Sequence, residues 1–386
     1  MTPESFIAGR LRFKGRMAVT AIAVSFLVMI LAVAISGGFR REIRSGIADI
    51  TGDVLLTSST FNYYSDTSPI SSSPSYMPEL EAVEGVESIN PVIYRAGIVK
   101  VEDDIQGVLF KGVQGRDSTL QADIPSRLAS KLGLKPGDEM LTYFVGDKVK
   151  ARKFKVAGIY ESLVDADETM IAYVPIEDMR KVNGWEDDQV SAMEIRLDSR
   201  FQSRPAIKFK AEQVGSICLM SAQEDEDALV STASVEKYSQ IFDWLDLIDF
   251  NVYAILLLMT IVAGFNMISG LLILLFRSTS TIGVLKALGM NDRSIGKVFL
   301  KVAARIVGMG MLIGNALALA FCAVQGLTHL IKLNPENYFV SFVPVRVSIP
   351  FIIAADLASF AVIMLLLLIP TLFIARVDPA QTVKSE

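Results

Sequence analysis

Acid–base and nucleophilic catalysis need side chains that exchange protons or share electron pairs near neutrality, and this sequence offers few at useful spacing. Its single histidine, His329, has no cysteine or histidine neighbour to complete a zinc site. Cys218 lies in a polar stretch and Cys322 in an apolar one, so no intrachain disulfide is expected. No GxxxxGK[ST] stretch is present to cradle a nucleotide phosphate, and neither GxSxG nor HExxH occurs. Carboxylates gather in "EDDI" (102–105) and "AQEDEDA" (222–228), but such runs are ordinarily solvated surface. The expectation is a non-catalytic chain that binds no metal and no cofactor.

The elements that would position any function are dominated by apolar runs. Hydrophobic residues make up 51% of the 386 and charged residues 20%, with a mean hydropathy of +0.43, too apolar for an ordinary soluble protein. The net charge of −5 comes without any long basic patch, which sets nucleic acid aside as a partner.

Residues 17–38 form a charge-free run of about twenty apolar or small residues, enough to cross ~30 Å of hydrocarbon. No small-residue cleavage site follows in "SGGFRREIR", so the run reads as an uncleaved first span. Further spans are expected at 250–276, 298–324 and 349–375. Arg10, Arg12, Lys14 and Arg16 precede the first span, and Arg277, Lys286, Arg293 and Lys297 lie between the second and third. The positive-inside rule puts both clusters, and both termini, in the cytoplasm.

The predicted fold class is therefore a membrane α-helical protein with four transmembrane helices and a large α+β extracytoplasmic, periplasmic domain inserted between helices 1 and 2. That domain, with stalk helices, occupies 39–249. It carries β-rich runs ("VLLTSS", "GIVKV", "GVLFKGV", "KFKVAGIY", "MIAYVP", "SAMEIRL") and helices at 126–132 and 176–182. The Ser- and Pro-rich stretch 65–78 reads as a mobile loop, and 228–249 as an amphipathic helix running into the second span. Residues 1–16 suit a cytoplasmic interfacial helix with basic side chains near lipid phosphates. Residues 277–297 form a cytoplasmic loop, 325–348 a periplasmic loop and 376–386 a cytoplasmic tail.

Inside the spans, Asn266 and Asn315 can hydrogen-bond across helices, and Gly308, Gly310 and Gly314 suit close helix packing. Asp356 reads as a lone acid near the outer headgroups, with a proton relay as the sharper alternative. In the short cytoplasmic loop, 281–288 makes about two helical turns, with Ser280 or Thr279 as N-cap and Gly289 as the stop. A helix this short is unstable alone, yet Ile282, Val284, Leu285 and Leu288 give it an apolar surface that must rest on something.

Here "TIGVLKALGMNDRSIGKVF" resembles the coupling helix of MacB-type ABC transporter permeases, whose usual form is an acidic residue followed by I-[GA]-x-L-[RK]-x-L-G. Thr281 stands where the acidic residue is usual. Within that superfamily the lipoprotein-releasing permeases are the nearest resemblance. It is carried by "FIAGRLRF", "ISGGFRREIRSGIADITGDVLLTSS", the central "LKPGDEMLTYF" and "RKFKVAGIYESLVDADETMIAYVPIEDMRKV", the loop "NPENYFVSFVPVRV" and the tail "IARVDPAQTVK". Asp53 replaces the family's usual histidine, and only "VGDKVKA" stands where carrier-docking members have an extended hairpin.

The resemblance implies that Thr281, Ile282, Gly283, Val284, Leu285, Lys286, Ala287, Leu288 and Gly289 couple the chain to a separate cytoplasmic ATPase, which would use ATP and Mg. It implies pairing with a second permease copy or a paralogue, and extraction of triacylated lipoproteins from the membrane lipid of the bacterial inner membrane towards a periplasmic carrier. Acyl chains would enter between the first and second helices, whose apolar faces include Phe26, Met29, Phe265 and Met267. A MacB-like exporter and an FtsX-like mechanotransmitter acting on a periplasmic hydrolase stay open as alternatives.

Overall fold

Four helices among the described residues are long and apolar enough to cross a bilayer. The computed structural model describes residues 7, 16–63, 69–116, 119–146, 149–161, 170–223, 226, 228–334, 338 and 340–372. The longer helices are α1 (Arg16–Thr51), α2 (Ser126–Leu132), α3 (Ile176–Asn183), α4 (Arg204–Ser221), α5 (Ser239–Arg277), α6 (Thr279–Ala287), α7 (Asp292–Thr328) and α8 (Ile349–Leu366). Contacts divide the chain into a helical unit (Met1–Arg41, Leu245–Lys332, Phe342–Glu386) and an outer unit (Glu42–Trp244, Leu333–Ser341).

In the helical unit, Ile22 and Phe26 of α1, Met267 and Leu271 of α5, Ile282 of α6, Val298, Val302 and Val307 of α7 and Ile363 of α8 form one buried cluster. Small residues set the approach of these helices. A Cβ on Gly314 would lie 2.4 Å from the Ala23 carbonyl oxygen, and one on Gly310 would lie 2.7 Å from Ile22 Cγ2, so α7 packs on α1 with its glycines inward. A Cβ on Gly308 would meet nothing within 4 Å, so this third glycine has no part in that seam. Gly264 packs α5 against Leu366. At one end of α1, Ser36 Oγ donates to Asp249 Oδ1 at 2.6 Å and Arg40 pairs with Asp249 and Asp246, tying α1 to α5.

Among the described residues the outer unit has eleven strands: β1 (Val54–Thr57), β2 (Ile70–Ser71), β3 (Val86–Val101), β4 (Asp104–Val113), β5 (Gln121–Pro125), β6 (Glu139–Phe144), β7 (Lys150–Tyr160), β8 (Ile171–Pro175), β9 (Gln189–Val190), β10 (Ala192–Leu197) and β11 (Val230–Ala233). Nine of them form one sheet in the order β11-β1-β10-β3-β4-β8-β5-β7-β6. The long β3 pairs β10 along its first half, and its second half pairs β4 on one side and β6 on the other. That double pairing closes β3, β4, β8, β5, β7 and β6 on themselves, leaving those strands no free edge. Phe110, Phe144 and Phe154 fill the interior with ring centroids 5.1–6.3 Å apart. Gly97 is required there, because a Cβ would press on Thr142, Phe144 and Phe110 at 3.0–3.1 Å.

Several expectations need correction. Residues 228–249 are not one helix: Val230–Ala233 pairs antiparallel with β1, its β-branched Val230 and Thr232 completing the sheet, and α5 begins only at Ser239. The Ser- and Pro-rich stretch is structured where described. Ile70 pairs with Val190, Tyr76 is buried, and Glu226 accepts hydrogen bonds from the backbone N–H and hydroxyl of Ser75. The last span is helical from Ile349 to Thr371 with an interruption at Leu367, and 373–375 lie outside the described residues. The interfacial helix, apart from Ile7 and Arg16, and the tail 376–386 lie outside the described residues.

Candidate functional site

The short helix after the second span is held from both ends. Helix α6 begins at Thr279 rather than Thr281, with Ser278 as N-cap, because Ser278 N–H still bonds back to Leu274 and Leu275 while its carbonyl accepts from Ile282. It ends where Gly289 takes φ +87, with Gly289 N–H bonding to Lys286 O and Met290 N–H to Leu285 O. This paired closure satisfies the last carbonyls and requires a residue tolerant of the left-handed region.

Fixed in this way, the helix presents two different faces. Ile282 and Gly283 are buried in the helical cluster, Leu285 packs partly against it, and Lys286 pairs with Asp292 at 2.9 Å. Thr281, Val284, Ala287, Leu288 and Gly289 are exposed, with Val284 at 49% and Leu288 at 78%. Thr281, Val284 and Leu288 lie three and four residues apart, which lines them up as one ridge. Of the nine expected coupling residues, then, some anchor the helix and others form its free surface.

A second cluster grips the end of α1 inside the outer unit. Lys111 Nζ donates to Glu194 at 2.7 Å and to the carbonyls of Asp49 and Ile50 at 2.8 and 2.9 Å, so a cation caps the last turn of the helix. Tyr94 Oη lies between Glu194 and Ile50 O and shares its one proton between them. Burial pushes the Glu194 carboxyl up and the Lys111 ammonium down, each against the pull of its partner's charge. Asp53 is buried, pairs with Arg44 at 2.6 Å and accepts from Leu197 N–H at 2.8 Å. Sequence reasoning missed this cluster, since a lone Lys in "FKGV" and a lone Glu in "AMEI" look like ordinary alternation in strands.

Residues 17–214 match the family model of the MacB-like periplasmic core domain, and residues 253–379 that of the FtsX-like permease C-terminal. The chain belongs to the MacB/FtsX-like permease family. Over 409 residues it is 23% identical to the lipoprotein-releasing system transmembrane protein LolC of Xylella fastidiosa (strain 9a5c), covering 98% of this chain and 95% of that one. It is 21% identical over 405 residues to LolE of Haemophilus influenzae, with 94% and 92% covered. Among solved structures, the periplasmic region of MacB from Actinobacillus actinomycetemcomitans aligns at 14% identity over 49% of this chain and 91% of that one, with a TM-score of 0.31. The resemblance to Lol-type members of the family is borne out, and with it a membrane permease that carries a large extracytoplasmic domain.

In this permease the four residues expected to meet acyl chains do not share one surface. Phe26 and Met267 belong to the buried helical cluster and Met29 is also buried, whereas Phe265 is 65% exposed. The exposed apolar face of α5 runs instead through Phe250, Tyr253, Leu257, Leu258, Ile261 and Phe265, a helical spacing. Asp356 is not a lone acid: it is buried and its Oδ2 accepts from Asn315 Nδ2 at 2.6 Å. Thr260 and Ser359 make a second polar contact, 3.0 Å apart, between α5 and α8, while Asn266 is exposed. His329 takes φ +46 to end α7 and stacks on Phe342 with ring centroids 4.0 Å apart. Among the described residues no group of three His, Cys, Asp or Glu is placed to hold a metal ion.

Proposed function

We propose that this permease is the transmembrane subunit of an ABC transporter that extracts lipoproteins from the inner membrane for transfer towards the outer membrane. The observation that carries the reading is near-full-length similarity to LolC and LolE, whose names describe lipoprotein release. In this reading both termini lie in the cytoplasm and the α+β domain in the periplasm, an orientation favoured by the basic clusters before the first span and around α6. A separate ATPase, loaded with ATP and Mg, docks on the ridge of Thr281, Val284 and Leu288, while Ile282 anchors α6 in the bundle and transmits its displacement. A second permease subunit, a copy or a paralogue, covers part of the exposed face of α5, and the triacylated cargo enters beside it.

Extraction is costly, because each acyl CH₂ that leaves lipid for water costs ~0.8 kcal/mol. A sheltered route and an external energy source are both required. ATP-driven closure of the partner subunits pushes α6, moves the spans as levers, and reaches the outer domain through the ends of α1 and α5. Handover to a periplasmic carrier uses a surface other than an extended β6–β7 hairpin, since that hairpin is short here.

Val284→Asp and Leu288→Asp test the coupling surface, because both side chains are exposed and neither supports the bundle. Each variant should be extracted from membranes at normal yield but without the ATPase. Full retention of the ATPase in the double variant would contradict the docking assignment.

A further inference from the structure

We propose that the outer unit contains a separate apolar-ligand site, a half-open cavity that takes one saturated acyl chain. The cavity has a volume of about 780 Å³, within the range of small-molecule sites, and lies on the face of the closed sheet opposite the Phe110, Phe144 and Phe154 interior. Residues paired across neighbouring strands share a face, so the register defines its lining. Ala96 opposes Leu109, while Ile98 opposes both Gly107 and Tyr143. Tyr94 continues the same row two residues further in. The lining is therefore elongated along the strands, about 13 Å from Tyr94 to Ile98 at about 3.3 Å per residue.

Two glycines, Gly97 on β3 and the exposed Gly107 on β4, distinguish the packed side of the sheet from the open one. A Cβ on Gly97 presses into the aromatic interior, whereas one on Gly107 meets nothing within 4 Å. Two polar groups on the cavity wall are engaged within the protein: Tyr94 Oη shares its one proton between Ile50 O and Glu194, and Lys237 Nζ donates to Tyr63 Oη. Most of the lining is aliphatic, aromatic or glycine, which favours a hydrocarbon chain over a sugar or a nucleotide. Exposed apolar residues lead inward, with Ile98 and Val145 on the rim and Ile105 one row beyond, opposite Lys100.

The proposal deepens the lipoprotein-release reading and rests on it only for the owner of the chain. The test uses the full-length protein in phosphatidylcholine nanodiscs with two probes that each carry a diazirine on a palmitoyl chain: free palmitic acid and a palmitoylated tripeptide. Adducts mapped by mass spectrometry should fall on β3, β4 and β6, and labelling by either probe upholds the site. Labelling by the lipopeptide alone assigns the chain to a lipidated peptide; labelling by palmitic acid alone assigns it to a membrane lipid. Gly107→Phe, which fills the cavity, should reduce these adducts at least ~10-fold while adducts in the membrane helices persist. If Gly107→Phe fails to fold, Val145→Asp on the exposed rim should produce the same loss. Adducts confined to the membrane helices, or cavity adducts that survive in both variants, would overturn the proposal. A permease that labels in the cavity but releases no lipoprotein with its ATPase would leave this site standing and defeat the release reading instead.

Discussion

The outer unit and the helical unit solve burial in opposite ways. In the outer unit, buried charge is matched within the unit, as in Lys111 with Glu194 and Arg44 with Asp53, and the closed strands leave no edge. The helical unit leaves large apolar faces open on α5, while buried side-chain atoms without a hydrogen-bond partner occur in both units: Arg44 Nε, Thr142 Oγ1 and Asn183 Oδ1 in the outer one, Asn315 Oδ1 and Asp356 Oδ1 in the helical one. Exposed apolar faces of this extent suit cover by lipid or protein. The contrast is between a unit that gathers its aromatic residues inside a closed sheet and one that leaves apolar residues exposed along its spanning helices.

The largest expected effect tests whether the outer unit is self-contained. Lys111→Ala leaves Glu194 buried and unpaired, and breaking such a pair costs about 3–5 kcal/mol. Hydrogen exchange in the full-length protein should show opening of β3, β4 and β10 easier by that amount, with α7 and α8 unchanged. Protection unchanged in all three strands would show that the pair does not hold the end of α1.

A smaller effect should divide the glycines of α7. Gly314→Val meets Ala23 O and Phe26 Cβ and should cost about 1–3 kcal/mol through overpacking, read as a lower temperature of aggregation in detergent. Gly308→Ala meets nothing and should be neutral. Equal effects of the two substitutions would remove α1 as the partner of this seam.

The smallest effect concerns Cys218, which is buried on α4 and whose thiol burial pushes up to about 11. The folded state therefore binds this proton more tightly than the unfolded state does. The stability linked to it is constant below pH ~9 and is lost as pH rises from there through about 11. Native protein at pH 8 should react with a maleimide far more slowly than urea-unfolded protein, and equal rates would contradict the burial.

The spans were legible because hydropathy over about twenty residues leaves few alternatives. All six β-rich runs lie in strands, since alternation and β-branched residues act locally. Closure of the sheet was not legible, because it depends on β3 being long enough to pair two partners on opposite sides, a non-local fact. The strand at 230–233 was hidden for the same reason: "VSTA" carries little pattern of its own, and β1 supplies its partner. For α6, the stop at Gly289 was readable and the start was not, because Ser278 is recruited by the end of α5 rather than by its own side chain. Which coupling residues face outward required the packing of Ile282, and the cavity beside Gly107 required the register.

The central claim is that this permease works with an ATPase on lipoproteins. It is tested most directly by extracting the full-length protein from its own membranes in mild detergent and identifying everything that stays bound by mass spectrometry. The account predicts an ABC ATPase together with triacylated lipoproteins, with the ATPase lost in the Val284→Asp, Leu288→Asp variant. An ATPase accompanied by an adaptor or a cell-wall hydrolase, with no lipoprotein, would contradict it.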